Sequence, residues 1–237
     1  MSDTLEIRGT LFAPFVPAVA EPPTRLCIIV TGLLEGEEQM LATCSSQATG
    51  APLPFRLHLD RNSLGDIAEL TLEARCTAGI GEDAVLARTT QKVLITDVLQ
   101  GIALELNLVA MDSAPVDPEK HPLPPTVIEL TGLVSIPPEL CQEVAYLDAT
   151  LLVVQEDGHS TRYSSNLAEH SLYLKGESAP FSLFIDVATL PKDRPTKLHL
   201  GLYNLERNTI YAGNVLKNLD FSNPPDLSMI ALRKPRR

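Results

Sequence analysis

The sequence predicts an all-β protein made of two tandem antiparallel β-sandwich domains related by internal duplication. Apolar residues alternate with polar ones over short segments, and a long segment pattern recurs once along the chain. The 237 residues also include 19 prolines, 13 glycines and no tryptophan. A proline-rich composition suits short strands with stiff connections better than long helices.

Strict alternation marks the candidate strands. Apolar residues take every second position in 55–60, 104–108 and 196–202. This period of two places one strand face on a core and the other in water. His58 and His199 fall on the outward face, so we expect both to be solvated.

A hairpin and two short turns complete the predicted elements. The Asp157-Gly158 pair is a strong hairpin signal, and we expect it to join a long strand over 145–154 to one around 162–164. Helix content should be low, with one short turn after Asp60 and one after Asp186.

The repeat divides the chain. Residues 54–60 recur as 180–186, and five further segment pairs, one of them before this pair and four after it, occur in the same order in both halves at offsets between 123 and 128 residues. A period this long indicates two duplicated domains rather than a solenoid of short units. We place the first domain at 5–110, a proline-rich linker at 111–125 and the second domain at 126–234.

Charge and hydropathy exclude several classes. With 19 basic and 30 acidic side chains the formal net charge is −11, which argues against broad nucleic-acid binding. No apolar run reaches the roughly 18 residues of a membrane helix, so we expect no membrane insertion. Residues 1–6 do not resemble a signal peptide. We expect a cytoplasmic protein if Met1 is the native start, and a periplasmic one if a signal peptide was removed.

Four cysteines are present without a Cys-x-x-Cys pair. Cys27 lies in an apolar run, and we interpret it and Cys76 as reduced core residues. The spacing does not suit zinc. We therefore predict neither a metal nor a cofactor.

Each copy carries a glycine followed by an apolar strand, a Pro-Phe-x-Leu-x-(Leu/Ile)-Asp strand, a leucine-rich strand and a final apolar strand. The second copy adds Ile-Pro-Pro-Glu at 136–139. This pattern resembles the small bacterial lipoproteins of the YbaY/YscW type, which are pilotin-like chaperones of type III secretion. The resemblance implies an all-β fold and a non-enzymatic task in assembling an outer-membrane secretin ring. Unlike that family, this chain is expected to carry the unit twice and to have neither a signal peptide nor an acylated cysteine.

Few residues qualify as functional candidates. Phe184 falls on an outward position, where either a loop or the neighbouring domain of the same chain, or else a partner, should cover it. The chain ends in a basic cluster that can contact nucleic acid, an acidic partner or anionic lipid, or simply aid solubility as a frayed terminus: Arg233, Lys234, Arg236 and Arg237. Asp60 and Asp186 close equivalent strands and are expected to accept backbone N–H groups in the following turns.

Three functions remain open. The first is a non-enzymatic, chaperone-like protein-binding adaptor, using an exposed strand edge for a partner and assisting a secretion or envelope assembly. The second is a hydrolase or carbohydrate-active module using Asp60 or Asp186. The third is a structural spacer in a larger assembly, in which the two domains pack on each other and the protein forms a homodimer. No catalytic motif is recognisable, so we expect a protein partner and no enzymatic activity.

Overall fold

The computed structural model describes residues 4–12, 24–47, 52–77, 85–110, 126–156, 162–190, 195–222 and 225–235. Strands dominate these residues, which confirms the predicted all-β class. Within them, no helix combines the length and apolar character needed to cross a membrane. The predicted linker 111–125 and the hairpin tip at Asp157-Gly158 lie outside the described residues.

The first half contains eight strands and two short helices. In chain order these are β1 Thr4–Phe12, β2 Arg25–Leu34, β3 Glu37–Gln47, β4 Leu53–Asp60, α1 Arg61–Leu64, β5 Glu69–Thr77, β6 Val85–Leu94, α2 Ile95–Leu99, β7 Leu104–Asn107 and β8 Val109–Ala110.

The second half contains seven strands and two 3₁₀ turns. They are β9 Val127–Ser135, a turn at Pro138–Leu140, β10 Ala145–Glu156, β11 Arg162–Leu174, β12 Ser178–Asp186, a turn at Val187–Thr189, β13 Thr196–Tyr203, β14 Ile210–Lys217 and β15 Ile230–Ala231. The pairing of β10 with β11 is the predicted hairpin, and the turns after β4 and β12 are also as predicted.

The two halves share the same strand order. Each half packs a three-stranded sheet, β4-β1-β7 or β12-β9-β15, over its own apolar core. Each core contains a phenylalanine whose ring lies over a cross-strand glycine: Phe55 over Gly9, and Phe181 over Gly132. This correspondence agrees with the sequence repeat, while the duplication itself stays a prediction.

One sheet runs through both halves. In the described part of the chain its order is β14-β13-β10-β11-β3-β2-β5-β6-β8. The halves join where β11 pairs antiparallel with β3, over 168–172 and 42–46. Beneath this pairing, β4 and β12 contact each other and both central strands. We call this region the junction.

Polar bonds reinforce the junction. Ser46 Oγ donates to the Phe184 carbonyl at 2.9 Å, and the Lys175 amide donates to Asp60 Oδ2 at 2.8 Å. The Arg56 guanidinium lies 3.2 Å from Glu129. Each of these bonds links one half to the other, so the halves are held by side chains as well as by the shared sheet.

The cysteines are free thiols. Cys76 is buried in the first core, as predicted. Cys27 is half-buried, with its Sγ 3.9 Å from the hydroxyl of Thr43 on the neighbouring strand. It alternates with the core residues Leu26 and Ile28, so it lies on the outer face of the sheet and the core prediction for it is wrong.

Candidate functional site

Phe184 lies at the junction. It is half-buried on β12 and packs against the apolar core of the first half. Its backbone carbonyl is the acceptor of the Ser46 bond. Phe184 is therefore covered by the other half of the same chain, which is one of the two alternatives predicted for it.

The basic C-terminal cluster is partly described. Arg233 and Lys234 are exposed, and Lys234 Nζ lies 2.8 Å from Glu139 Oε1. Arg236 and Arg237 lie outside the described residues. Arg233 is held through its backbone, because its amide and carbonyl each bond to Gly213 on β14, at 3.0 and 2.8 Å.

The two candidate catalytic carboxylates cap helical turns. Asp60 accepts bonds from the amide of Asn62 at 3.3 Å and the hydroxyl of Ser63 at 2.7 Å. Asp186 accepts from the amide of Ala188 at 3.0 Å. These are the turn contacts expected of an aspartate at a strand end.

A row of four residues crosses the outer face of the second half. Asp148 on β10 is in register with Gly201 on β13, Gly201 with Gly213 on β14, and Gly213 with Arg233. Four neighbouring positions span three strand spacings, about 14 Å. Because the two central residues are glycines, the row has a carboxylate at one end, a guanidinium at the other and no side chain between. We call Gly201 and Gly213 the glycine strip; Gly201 is buried beneath the Tyr203 ring, whereas Gly213 is partly exposed.

Larger side chains line both sides of this strip and form a groove of about 380 Å³. Thr150, His199 and Val215 stand in the row on one side. Tyr203 and Ile210 stand on the other, and the Tyr203 ring leans over Gly201. Ile210 and Val215 are each 43% exposed, which is high for large apolar residues. We call this the β13–β14 groove; Asn214, Leu200, Lys234 and Pro235 complete its lining.

At the Asp148 end of the groove, the carboxylate is held by contacts within the protein. Ser171 Oγ lies 2.5 Å from Asp148 Oδ1, and Arg207 donates to the same hydroxyl at 2.6 Å. The Arg207 guanidinium also stacks 4.1 Å from the ring centre of Tyr146. Burial raises the pKa of Asp148, against the opposing effects of Ser171 and Arg207. Asp148 is therefore already paired, whereas Arg233 makes no ion pair within the described residues.

A second polar feature lies in the junction. The rings of His58 and His170 are 5.6 Å apart, and the two residues are 9% and 1% exposed. Neither ring nitrogen of His170 makes a hydrogen bond of normal geometry, although the Ser182 backbone is close enough to favour its protonation. The prediction of a solvated His58 is wrong, because its outward face is covered by the second half. His199 is exposed, as predicted.

Burial dominates the acid–base behaviour of the junction histidines. It lowers the pKa of His58 to about 4, with the nearby Arg56 acting in the same direction. It lowers the pKa of His170 to about 3, and His58 adds to the effect. Both imidazoles are neutral at pH 7. Among the described residues, no group of three metal-ligating side chains converges here or elsewhere.

Sequence reasoning found Arg233 and Lys234 but missed the groove beside them. The available signal was a glycine at an outward position of two alternating strands, in Leu-Gly-Leu at 200–202 and Ala-Gly-Asn at 212–214. A glycine inside a strand often marks a bare or closely approached surface. Only the register between the strands shows that the two glycines face each other.

Comparisons with known proteins give little. No known family pattern and no curated protein matches this sequence. Among solved structures, a candidate adhesin from Bacteroides ovatus aligns over 99% of this chain and 94% of its own, at 11% identity and a TM-score of 0.24. A DUF4785 family protein from Legionella pneumophila aligns over 85% of this chain and 48% of its own, at 11% identity and a TM-score of 0.22. Likenesses this low carry no argument about function.

Proposed function

We propose that the protein is a non-enzymatic protein-binding adaptor that seats an extended segment of a partner in the β13–β14 groove. The observation that carries this proposal is the glycine strip between Asp148 and Arg233, walled by exposed apolar side chains. At the Gly213 part of the strip no side chain keeps a partner main chain away from the sheet, while Ile210 and Val215 offer apolar contact.

Binding on the face is favoured over strand addition at the β14 edge. Gly213 is bonded there to Arg233, and the Val215 amide is bonded to Asn214 Oδ1 at 2.7 Å. These bonds occupy the backbone groups that an added strand needs. A partner therefore gains more from the groove than from this edge.

The resemblance to pilotin-like lipoproteins suggests the partner's setting. Under that resemblance, the bound segment belongs to a component of a secretion or envelope assembly. The hydrolase alternative has no comparable support, because Asp60 and Asp186 are occupied as turn caps.

The proposal can be tested by selecting random twelve-residue peptides displayed on phage against the immobilised full chain. Enriched peptides are then titrated against the unaltered protein and the Val215→Asp variant. A charge in the apolar wall should weaken binding about tenfold or more, equivalent to ~1.4 kcal/mol.

Val109→Asp is the matched control, because Val109 is 39% exposed at the opposite end of the same sheet. It should leave the affinity unchanged. A selection that enriches no peptide, or an equal loss in both variants, contradicts the proposal.

A further inference from the structure

The C-terminal segment of the sequence, which contains β13 and β14, is basic in an acidic protein. The chain carries a net charge of −11, yet residues 197–237 contain seven basic and three acidic side chains. Two of the seven, Arg236 and Arg237, lie outside the described residues. The charge of this end is therefore opposite to that of the molecule.

Two lysines face each other on the outer side of the sheet. Lys197 on β13 is in register with Lys217 on β14, one row beyond His199 and Val215. Like charges directly opposite one another destabilise a strand pair. Neither lysine forms an ion pair with a described residue. The pair is an unbalanced positive charge beside one wall of the groove.

The guanidinium of Arg233 adds a third cation at the outer end of the glycine strip. Its two backbone hydrogen bonds to Gly213 fix the position of the Arg233 backbone at the edge of β14. The acidic groups nearby are already engaged, since Glu139 pairs with Lys234 and Asp148 with Arg207. Three cations thus border apolar walls without a described counter-charge.

We propose that the segment bound in the groove is acidic, with carboxylates alternating with apolar side chains. This inference rests on the proposed function and specifies its partner. In an extended segment that follows the groove, alternate side chains point to opposite sides, so apolar ones can meet the Tyr203 and Ile210 wall. The carboxylates then point across the other wall, beyond which Lys197 and Lys217 lie. Unpaired cations also steer an acidic partner toward this end of a negative molecule.

A nucleic acid is the other polyanion that cations attract. The apolar groove walls and the net charge of −11 disfavour it, because nucleic-acid binding depends on broad phosphate neutralisation. It is kept as an outcome of the test.

The test is fluorescence anisotropy with three labelled probes of twelve units each: a peptide of alternating Glu and Val, one of alternating Lys and Val, and single-stranded oligo-dT. The full chain should bind the Glu-Val peptide at least tenfold more tightly than the Lys-Val peptide, and salt should weaken this binding. The double variant Lys197→Glu/Lys217→Glu should reverse the preference. Arg88→Glu/Lys92→Glu, at the opposite end of the sheet, is the control and should keep it.

The failures are distinguishable. If phage selection enriches peptides without acidic residues, or the unaltered protein binds the Glu-Val and Lys-Val peptides equally, the groove binds protein segments but the acidic class is wrong. If the lysine variant keeps the wild-type preference, the proposed recognition of the acidic segment by Lys197 and Lys217 is wrong. If no peptide is enriched, the proposed function fails as well. If oligo-dT binds more tightly than the Glu-Val peptide, the partner is a nucleic acid and the proposal of an acidic protein segment is wrong.

Discussion

The junction histidines make stability depend on pH in a way that can be calculated. His58 and His170 are neutral and buried in the folded protein, with pKa values of about 4 and about 3. In the unfolded chain both return to about 6.5. Because the unfolded state binds protons first as the pH falls, folding stability is complete above about pH 6.5 and decreases below it.

The magnitude follows from the size of these shifts. Between pH 6.5 and the folded pKa, each histidine costs about 1.4 kcal/mol per pH unit. At pH 5 this amounts to about 2 kcal/mol for each residue and about 4 kcal/mol for the pair. Such a loss is a large fraction of the roughly 5–15 kcal/mol that stabilises a typical domain.

Urea unfolding at pH 7.5, 6 and 5 measures this loss directly. The double variant His58→Gln/His170→Leu removes both imidazoles. Whatever its stability at pH 7.5, its free energy of unfolding should fall by about 4 kcal/mol less than that of the unaltered protein on going to pH 5. His199→Gln is the control. Partial burial and Lys197 lower the pKa of His199 too, but His199 is exposed, so it should contribute less to the pH dependence than the junction pair.

Two results would refute the reasoning. One is an unaltered protein whose stability changes by less than about 1 kcal/mol between pH 7.5 and 5, where most carboxylates remain ionised. The other is a double variant with the same pH dependence as the unaltered protein. Either outcome means that the imidazoles are solvated or paired in solution and that the junction is more open than described.

Three further predictions concern stability at neutral pH, each measured by urea unfolding. Phe181→Ala empties a fully buried site and should cost about 3–5 kcal/mol; a loss below 1 kcal/mol contradicts the packing. Gly132→Ala presses on the Phe181 ring and should lower the free energy of unfolding by about 1–3 kcal/mol. Gly9→Ala should lower it more, because its added methyl group meets the Leu104 backbone oxygen, which cannot move aside as a ring can. A larger loss for Gly132→Ala than for Gly9→Ala contradicts the described strand pairing. Glu35→Asn should stabilise the protein by roughly 0.5–1 kcal/mol, because Glu35 adopts a φ of 53° in a two-residue hairpin; destabilisation contradicts that turn.

The sequence predicted what depends on neighbours along the chain. Alternation gave most strands, Asp-Gly gave the β10–β11 hairpin, and Asp60 and Asp186 marked two short turns. Each of these signals acts over a few residues, through side-chain direction or through a local hydrogen bond. Such signals can be read without knowing where the rest of the chain goes.

The junction gave no local signal. β3 and β11 are paired through backbone groups that any sequence supplies, across more than 120 residues of chain. The error on His58 has the same origin, because an outward position is solvated only if nothing packs on that face. The groove was missed for a related reason, since it depends on the register that brings Gly201 opposite Gly213.

The junction also explains why the outer face is the better place for a partner. The pairing of β3 with β11 places one edge strand of each half in the middle of the shared sheet. The remaining edges of this sheet are β14 at one end and β6 with β8 at the other. At each edge, the last described segment of the same half pairs with the edge strand. β8 pairs with Ala87 and Arg88 on β6, and Arg233 pairs with Gly213 on β14. An edge that is internally paired resists strand addition. Because both edges are internally paired, side chains on the sheet face are left to supply recognition. Within the described residues the β13–β14 groove combines a floor of two glycines with apolar walls, and unpaired cations border it.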